Sequence, residues 1–190
     1  SKMKYCPGCG SKLSLKIPEN DDRERHVCDD CGVIHYQNPN IIVCSLPCYK
    51  DQVLLCKRSI EPRYGLWTLP GGFMENNETT LEGARRETLE EACARVEIHS
   101  LYSYYSLPHI NQVHLFYRAT LLDLDFSAGD ESLEVKLFHH HEIPWEEIDF
   151  PAVSNTLEHY YKDLPEKIFP LHSADIIYTE DKKRSINSHH

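Results

Sequence analysis

The chain has no apolar run approaching the ~20 residues that a membrane-spanning helix needs, so no transmembrane segment is expected. It is short of cations: 20 Lys and Arg stand against 30 Asp and Glu, a net charge of −10. Such a deficit argues against tight, nonspecific nucleic-acid binding, though an acidic protein can still take a nucleotide through divalent metal ions. There are no internal repeats, no secretory leader is expected, and Met3 reads as a candidate start after Ser1-Lys2. No Ser-His-Asp or Cys-His arrangement suggests a covalent nucleophile. The expectation from these absences is a reducing, cytoplasmic setting for a chain that works on a small ligand.

Cysteine is not scarce. The segments CPGCG and CDDCG place Cys6, Cys9, Cys28 and Cys31 in two C-x2-C knuckles, each followed by Gly. This spacing is a strong signal for a structural Zn²⁺ held by four thiolates. Four thiolates leave no open position, so the site is expected to stabilise a piece too small to hold itself together rather than to catalyse. Cys44, Cys48, Cys56 and Cys93 lie in or beside apolar runs and read as small core residues. At 190 residues, the chain fits a zinc ribbon over 1–36, one larger domain over 37–164 and a C-terminal extension over 165–190, its stretch 179–190 polar and frayed.

The segment GGFMENNETTLEGARRETLEEACA at 71–94 opens on two glycines and continues as a helix. Thr79 and Glu82 fit a capping box. Leu81, Ala84, Thr88 and Ala92 recur at helical spacing as a buried stripe. Arg95 follows the last turn, where the helix dipole favours a cation. Glu87, Glu90 and Glu91 then share one side, one turn apart. Gly83 falls on that side a turn earlier, where a missing side chain would admit a ligand. Like charges at this spacing cost only ~0.2–0.5 kcal/mol per pair, so a solvated acidic face is admissible. Three carboxylates are also a good oxygen cage for Mg²⁺ or Mn²⁺. Gly71-Gly72 would supply positive φ and close backbone approach. A glycine turn leading into acids cannot cradle phosphate directly, so phosphate would be held through metal ions.

These residues resemble the Nudix box, G-x5-E-x7-R-E-U-x-E-E-x-G-U with U aliphatic. Gly72, Glu78, Arg86, Glu87, Glu90 and Glu91 fall on its fixed positions. Thr88 replaces the aliphatic residue, and Cys93 replaces the glycine after the helix, where a left-handed backbone is strained for a side chain. The resemblance implies a metal-dependent pyrophosphohydrolase with an α/β/α sandwich around a mixed sheet. It implies that Glu87, Glu90, Glu91 and the Gly71 carbonyl hold the divalent metal and that Arg86 orients the acids, with Glu78 as its partner. A further Glu from a later loop is expected as ligand or base; Glu134 is favoured and Glu131 is its rival. A metal lowers the pKa of water, a carboxylate takes its proton, and a phosphate monoester leaves.

The remaining elements read as a hairpin over 40–58, strands at 96–106, 112–122 and 133–138, and a closing amphipathic helix at 154–164. The substrate is less legible. A zinc ribbon ahead of a Nudix domain occurs in NADH pyrophosphatases, but their Ser-Gln-Pro-Trp-Pro-Phe-Pro-x-Ser motif is absent. A shorter zinc-ribbon Nudix group is similar through RERHVCDDCG, HYQNP, EPRYGLWTLPGGFMEN and SLPHINQV, and implies FAD or ADP-ribose as substrate. NADH or NAD hydrolysis and a non-catalytic nucleotide sensor stand as alternatives, and a homodimer is left open. Arg63, Trp67, Phe73 and His109 are the candidate substrate contacts; Tyr64, Tyr104, Tyr105 and Asn111 lie beside them. His139-His140-His141 would alternate faces on a strand and are expected in solvent.

Overall fold

The computed structural model describes residues 3–148 and 150–189; Ser1-Lys2 lie outside them. The chain divides into two units, Ser1–Asn38 and Pro39–His190.

The first unit is a three-stranded antiparallel sheet of β1 (Leu13–Lys16), β2 (Arg25–Cys28) and β3 (Ile34–His35), in that order. Its two knuckles are built alike. Gly10 and Gly32 take φ of 78° and 77° and return their N–H groups to the carbonyls of Cys6 and Cys28, each at 2.8 Å. Only glycine enters that left-handed turn without strain. Cys6 and Cys28 are buried in a unit with almost no other core.

The second unit is built from β4 (Asn40–Tyr49), β5 (Gln52–Arg58), β6 (Trp67–Thr68), β7 (Gly71–Phe73), α1 (Thr80–Ala92), β8 (Val96–Leu107), β9 (Gln112–Leu121), β10 (Ser132–Phe138), α2 (Pro151–Asp163), β11 (His172–Tyr178) and β12 (Arg184–Ser188). Its strands make one mixed sheet in the order β10-β5-β4-β9-β8-β11-β12, with β6 on β5 and β7 on β4. The pairs β4/β9 and β8/β11 are parallel. Strand β4 is central and buried on both faces from Val43 to Cys48, which is why it reads as an unbroken apolar run. Val43 and Ser45 meet α1, whereas Cys44, Leu46 and Cys48 join a core with Leu157, Tyr160 and Tyr161 of α2. The fold is therefore an α/β/α sandwich, as expected.

Helix α1 starts on the capping box: Thr79 Oγ1 accepts the Glu82 N–H at 3.1 Å, and the Glu82 carboxylate accepts the Thr79 N–H at 2.8 Å. It stops at Cys93, whose φ of 47° puts a side-chain-bearing residue in the left-handed region. Cys93 is exposed, so it caps the helix rather than filling the core. Leu81 likewise leaves the expected stripe: it is 40% exposed, and the buried face runs through Gly83, Ala84, Glu87, Thr88 and Ala92. Gly83 makes room for the fold, not for a ligand. A Cβ there would stand 2.8 Å from both Val43 Cγ2 and Glu78 Oε1. Arg95 pairs with Asp123 on the strand side of the helix end.

The C-terminal stretch differs most from expectation. Instead of fraying, the chain turns at Thr179–Lys183 and β12 pairs antiparallel with β11, Ile186 opposite Ile176. So α2 does not close the fold. Asp163 at its end accepts from Tyr102 at 2.5 Å and pairs with His172 at 2.7 Å, which ties the returning chain to β8. A single isoleucine in RSINS is too weak an apolar signal to announce an edge strand. The three histidines also sit off any strand. His140–Glu142 form a 3-10 turn, and His140 stacks on Tyr161 with ring centres 4.3 Å apart.

Thr88 has an exact use for its hydroxyl. It donates to the Ala84 carbonyl at 2.7 Å, so the buried Ser45 hydroxyl, 2.6 Å away, donates to Thr88. Thr88→Val should therefore cost about 1–3 kcal/mol by stranding Ser45. Adding Ser45→Ala should recover most of it. Urea denaturation of the four proteins in that cycle measures the coupling.

Candidate active site

Strand β7 runs antiparallel to β4, with Gly71 opposite Cys44 and Gly72 opposite Val43. Neither glycine takes a positive φ among the described residues; they are required by contact. A Cβ on Gly71 would overlap Cys44 Sγ, and a Cβ on Gly72 would fall 2.5 Å from Glu87 Oε1. The glycine pair is thus the floor on which helix α1 lays its acids. Gly71 N–H donates to Glu91 Oε2 at 3.1 Å.

Arg86 organises the rest. Its guanidinium donates to Glu78 at 2.8 and 2.9 Å, to Glu87 at 2.9 Å, to Glu90 at 3.2 Å and to the Phe73 carbonyl at 3.1 Å. One cation faces three carboxylates and a backbone dipole. The Glu78 carboxyl is held down at about 2, first by the Arg86 bond and then by the Glu75 N–H. Glu87 is pushed upward by burial, against the pull of Arg86. Burial lifts Glu91 to about 8 despite the Gly71 N–H. At neutral pH and without a cation, Glu91 therefore keeps its proton, and the site stores an acid that a divalent ion would ionise.

These residues line an open cleft of about 800 Å³ with Arg58, Ile60, Glu75, Asp130 and Glu131. The structure brings Gly71, Phe73, Arg86, Glu87, Glu90 and Glu91 together there. Glu134 does not reach it. Strand β10 carries a register shift between Ser132 and Glu134, after which Glu134 is exposed opposite Lys57. Glu131, its rival, lines the cleft because the loop is pinned to the end of α1: Gly129 N–H at 3.0 Å and Ser132 Oγ at 2.8 Å both donate to the Glu91 carbonyl. Trp67 is buried edge-on against Phe138, ring centres 4.9 Å apart, and His109 packs on Tyr178 at 4.5 Å. Neither lines the cleft, nor does Arg63, which takes a left-handed turn (φ 71°) while Arg58 forms the wall.

Behind Gly71 lies a second, narrow pocket of about 90 Å³ lined by Ile42, Cys44, Thr68, Leu69, His114, Phe116, Phe150 and Val153. Arg58 and Gly71 border both spaces. The Arg58 guanidinium lies 5.3 Å from the Phe150 ring centre, and its Nε donates to the Pro62 carbonyl. Burial drives His114 down to about 4, so the pocket presents a neutral imidazole. Arg58 had a faint sequence signal, as the first cations after VLLC mark where β5 leaves the core. Phe150 and His114 had none, because they reach the pocket only through the tertiary fold.

Among the described residues, the four knuckle cysteines are the group whose ligand atoms already lie within 4.8 Å of one another. Cys6 and Cys31 Sγ are 3.7 Å apart, and Cys9 and Cys28 Sγ 3.4 Å. All-thiolate donors at this spacing suit Zn²⁺. The cleft offers hard oxygens suited to Mg²⁺ or Mn²⁺, but its carboxylates are drawn onto Arg86 and Gly71 and are not gathered to that distance.

The family model for the NUDIX domain matches residues 39–160, and that for the Nudix N-terminal zinc ribbon matches residues 4–37. The chain belongs to the Nudix family. A crystal structure of a NUDIX hydrolase from Nitrosomonas europaea is 53% identical, covering 91% of this chain and 99% of that one with a TM-score of 0.87. An ADP-ribose pyrophosphatase of Methanocaldococcus jannaschii is 30% identical over 71% of this chain and 78% of its own length. The NAD-capped RNA hydrolase NudC of Vibrio cholerae is 33% identical over 47% of this chain, which spans only 31% of that relative. The chain is thus a Nudix pyrophosphohydrolase, and no helix among its described residues is long and apolar enough to cross a membrane.

Two outcomes follow from the geometry. In metal-free protein, the raised Glu91 makes stability fall as pH rises. Below about 4.5 both states hold the proton; between about 4.5 and 8 the unfolded chain has released it and the folded chain has not. Thermal unfolding from pH 5 to 8 should show this loss, and Glu91→Gln should flatten it. Gly72→Ala should displace Glu87 and lower pyrophosphohydrolase turnover by roughly 100-fold, read on protein whose circular dichroism remains that of wild type.

Proposed function

We propose that this Nudix hydrolase cleaves the diphosphate of a nucleoside diphosphate joined to a second moiety, with ADP-ribose or FAD as the substrate class. The observation that carries this reading is the pair of adjoining spaces: an open acidic cleft beside a smaller, mostly apolar pocket, both bordered by Arg58 and Gly71. Adenine, the flat base common to both candidates, would enter the smaller pocket and the other half would remain in the cleft. Phe150, Phe116 and Val153 would pack on the base, with His114 at its polar edge. Arg58 stands where the diphosphate would pass. Phe73, 55% exposed at the cleft wall, is placed to meet the second moiety.

Glu87, Glu90, Glu91 and the Gly71 carbonyl are the residues to hold Mg²⁺ or Mn²⁺, and the ion would neutralise phosphate charge and acidify the attacking water. Arg86, anchored by Glu78 and the Phe73 carbonyl, would orient Glu87 and Glu90, while the Gly71 N–H holds Glu91. Glu131, which lines the cleft where Glu134 does not, would take the proton from water. In the ribbon, Cys6, Cys9, Cys28 and Cys31 would hold a structural Zn²⁺. The eight cysteines are all unpaired, which fits a reducing compartment such as the cytoplasm. The relatives named NAD-capped RNA hydrolase keep NAD-type dinucleotides in view as the second reading.

The deciding experiment incubates the protein with FAD, ADP-ribose, NADH, NAD, diadenosine polyphosphates and nucleoside triphosphates, with Mg²⁺ or Mn²⁺, and separates the products. Metal-dependent AMP from ADP-ribose, or AMP with FMN from FAD, is the expected result. Glu91→Gln should lower it by roughly 10²–10⁴-fold, and Phe150→Ala should raise KM more than it changes kcat. Tight nucleotide binding without any product would instead make this a sensor on a Nudix frame.

A further inference from the structure

The two zinc knuckles are related by a local symmetry that breaks at one contact. In the second knuckle the buried Cys28 Sγ accepts a backbone N–H from Cys31 at 3.5 Å. In the first knuckle the buried Cys6 Sγ has the imidazole of His35 against it, Nε2 at 3.4 Å. His35 comes from β3, and its position is fixed by the strand register, His35 opposite His26 and Ile34 opposite Val27. Cys9 and Cys31 face solvent and have the Ser11 and Val33 backbone N–H groups as donors, whereas Cys6 and Cys28 are buried and cannot rely on water.

Four thiolates around one Zn²⁺ carry a net charge of −2. N–H donors to the sulfurs offset part of that charge and so bear on how firmly each thiolate stays bound. Partners of this kind orient ligands and tune a metal's affinity. We propose that His35 is a positioning residue of the zinc centre: its Nε2–H donates to the Cys6 thiolate and stands in for the backbone donor that Cys28 receives. Loss of this donor makes Cys6 the weakest of the four ligands, the one that lets go first when a chelator competes. This inference rests on the zinc reading of the four cysteines.

The test uses full-length protein purified with its metal, with zinc content measured first by elemental analysis. Zinc release to a coloured chelator is followed for wild type, His35→Phe and His35→Gln, and the same proteins are reconstituted with Co²⁺. The expected result is one zinc per chain, release roughly tenfold or more faster in His35→Phe, and near-wild-type release in His35→Gln, whose amide N–H can replace the donor. In the Co²⁺ forms, the sulfur-to-metal absorption should move to lower energy in His35→Phe alone, because a hydrogen bond stabilises the sulfur lone pair. Mere loss of packing would not give that shift. Equal release in wild type and His35→Phe overturns the proposal. So does equal impairment of the Phe and Gln variants with an unmoved cobalt spectrum, which would make the imidazole a spacer. A wild-type protein without zinc overturns it by a separate route, since the metal analysis then fails before any variant is compared.

Discussion

Arg86 is the cation on which the site turns. Without it, helix α1 would bring Glu87 and Glu90 together with no cation between them, and Glu87 is buried. Its guanidinium has five N–H groups in a rigid fork, and they are spent on Glu78, Glu87, Glu90 and the Phe73 carbonyl. This links three segments: the loop before the helix, the helix itself and the glycine strand. The bond to Glu78 is the firmest, as the lowered carboxyl shows. Glu78 in turn accepts the Glu75 N–H at 2.7 Å, so the loop that enters the helix is held by the same ion pair. Lysine, a point charge on a flexible stem, could not make these contacts at once.

The frame around Arg86 depends on absent atoms as much as on present ones. Gly71 and Gly72 lie in ordinary extended backbone, yet any side chain at either would collide with Cys44 or Glu87. Gly83 does the same for the helix on β4. The three glycines let a helix, a short strand and a central strand approach closely enough for Gly71 N–H to reach Glu91. Desolvation of Glu91 is the consequence. A carboxyl pressed against the sheet holds its proton to about 8, so the site is electrostatically incomplete until a cation arrives. Glu91 is thus tuned by how closely the elements pack.

Local chemistry in the sequence foretold a good deal of this. The capping box and the Nudix spacing are short-range patterns whose causes lie within one or two turns, and they appear in the structure as read; Cys93, read as a core residue, is instead an exposed left-handed cap. The strands came out close to their expected limits because both faces of β4 and β5 are apolar. Legibility failed where the cause was long-range. The glycine pair was read as a turn because the clash with Cys44, 27 positions away in the chain, is invisible locally. Glu134 was favoured over Glu131 because the bulge at Ser132 depends on bonds to the end of α1. Trp67 is an aromatic beside the box, but its ring is claimed by Phe138. Arg58 and Phe150 are separated by most of the domain and meet only because β5 and the start of α2 converge.

The same distinction separates the two metal centres. In the ribbon, each knuckle closes on itself through Gly10 or Gly32, so C-x2-C spacing suffices to bring thiolates within reach. Its donors are soft, one of each knuckle buried and one exposed, and they converge before any ion is considered. In the cleft the donors are hard oxygens, with Glu87 and Glu90 turned onto Arg86 and Glu91 onto the Gly71 N–H. A structural site has to converge in order to hold its unit together. In the cleft, Glu90, its side chain 58% exposed and its bond to Arg86 the longest of the set at 3.2 Å, is the carboxylate that Arg86 holds least firmly.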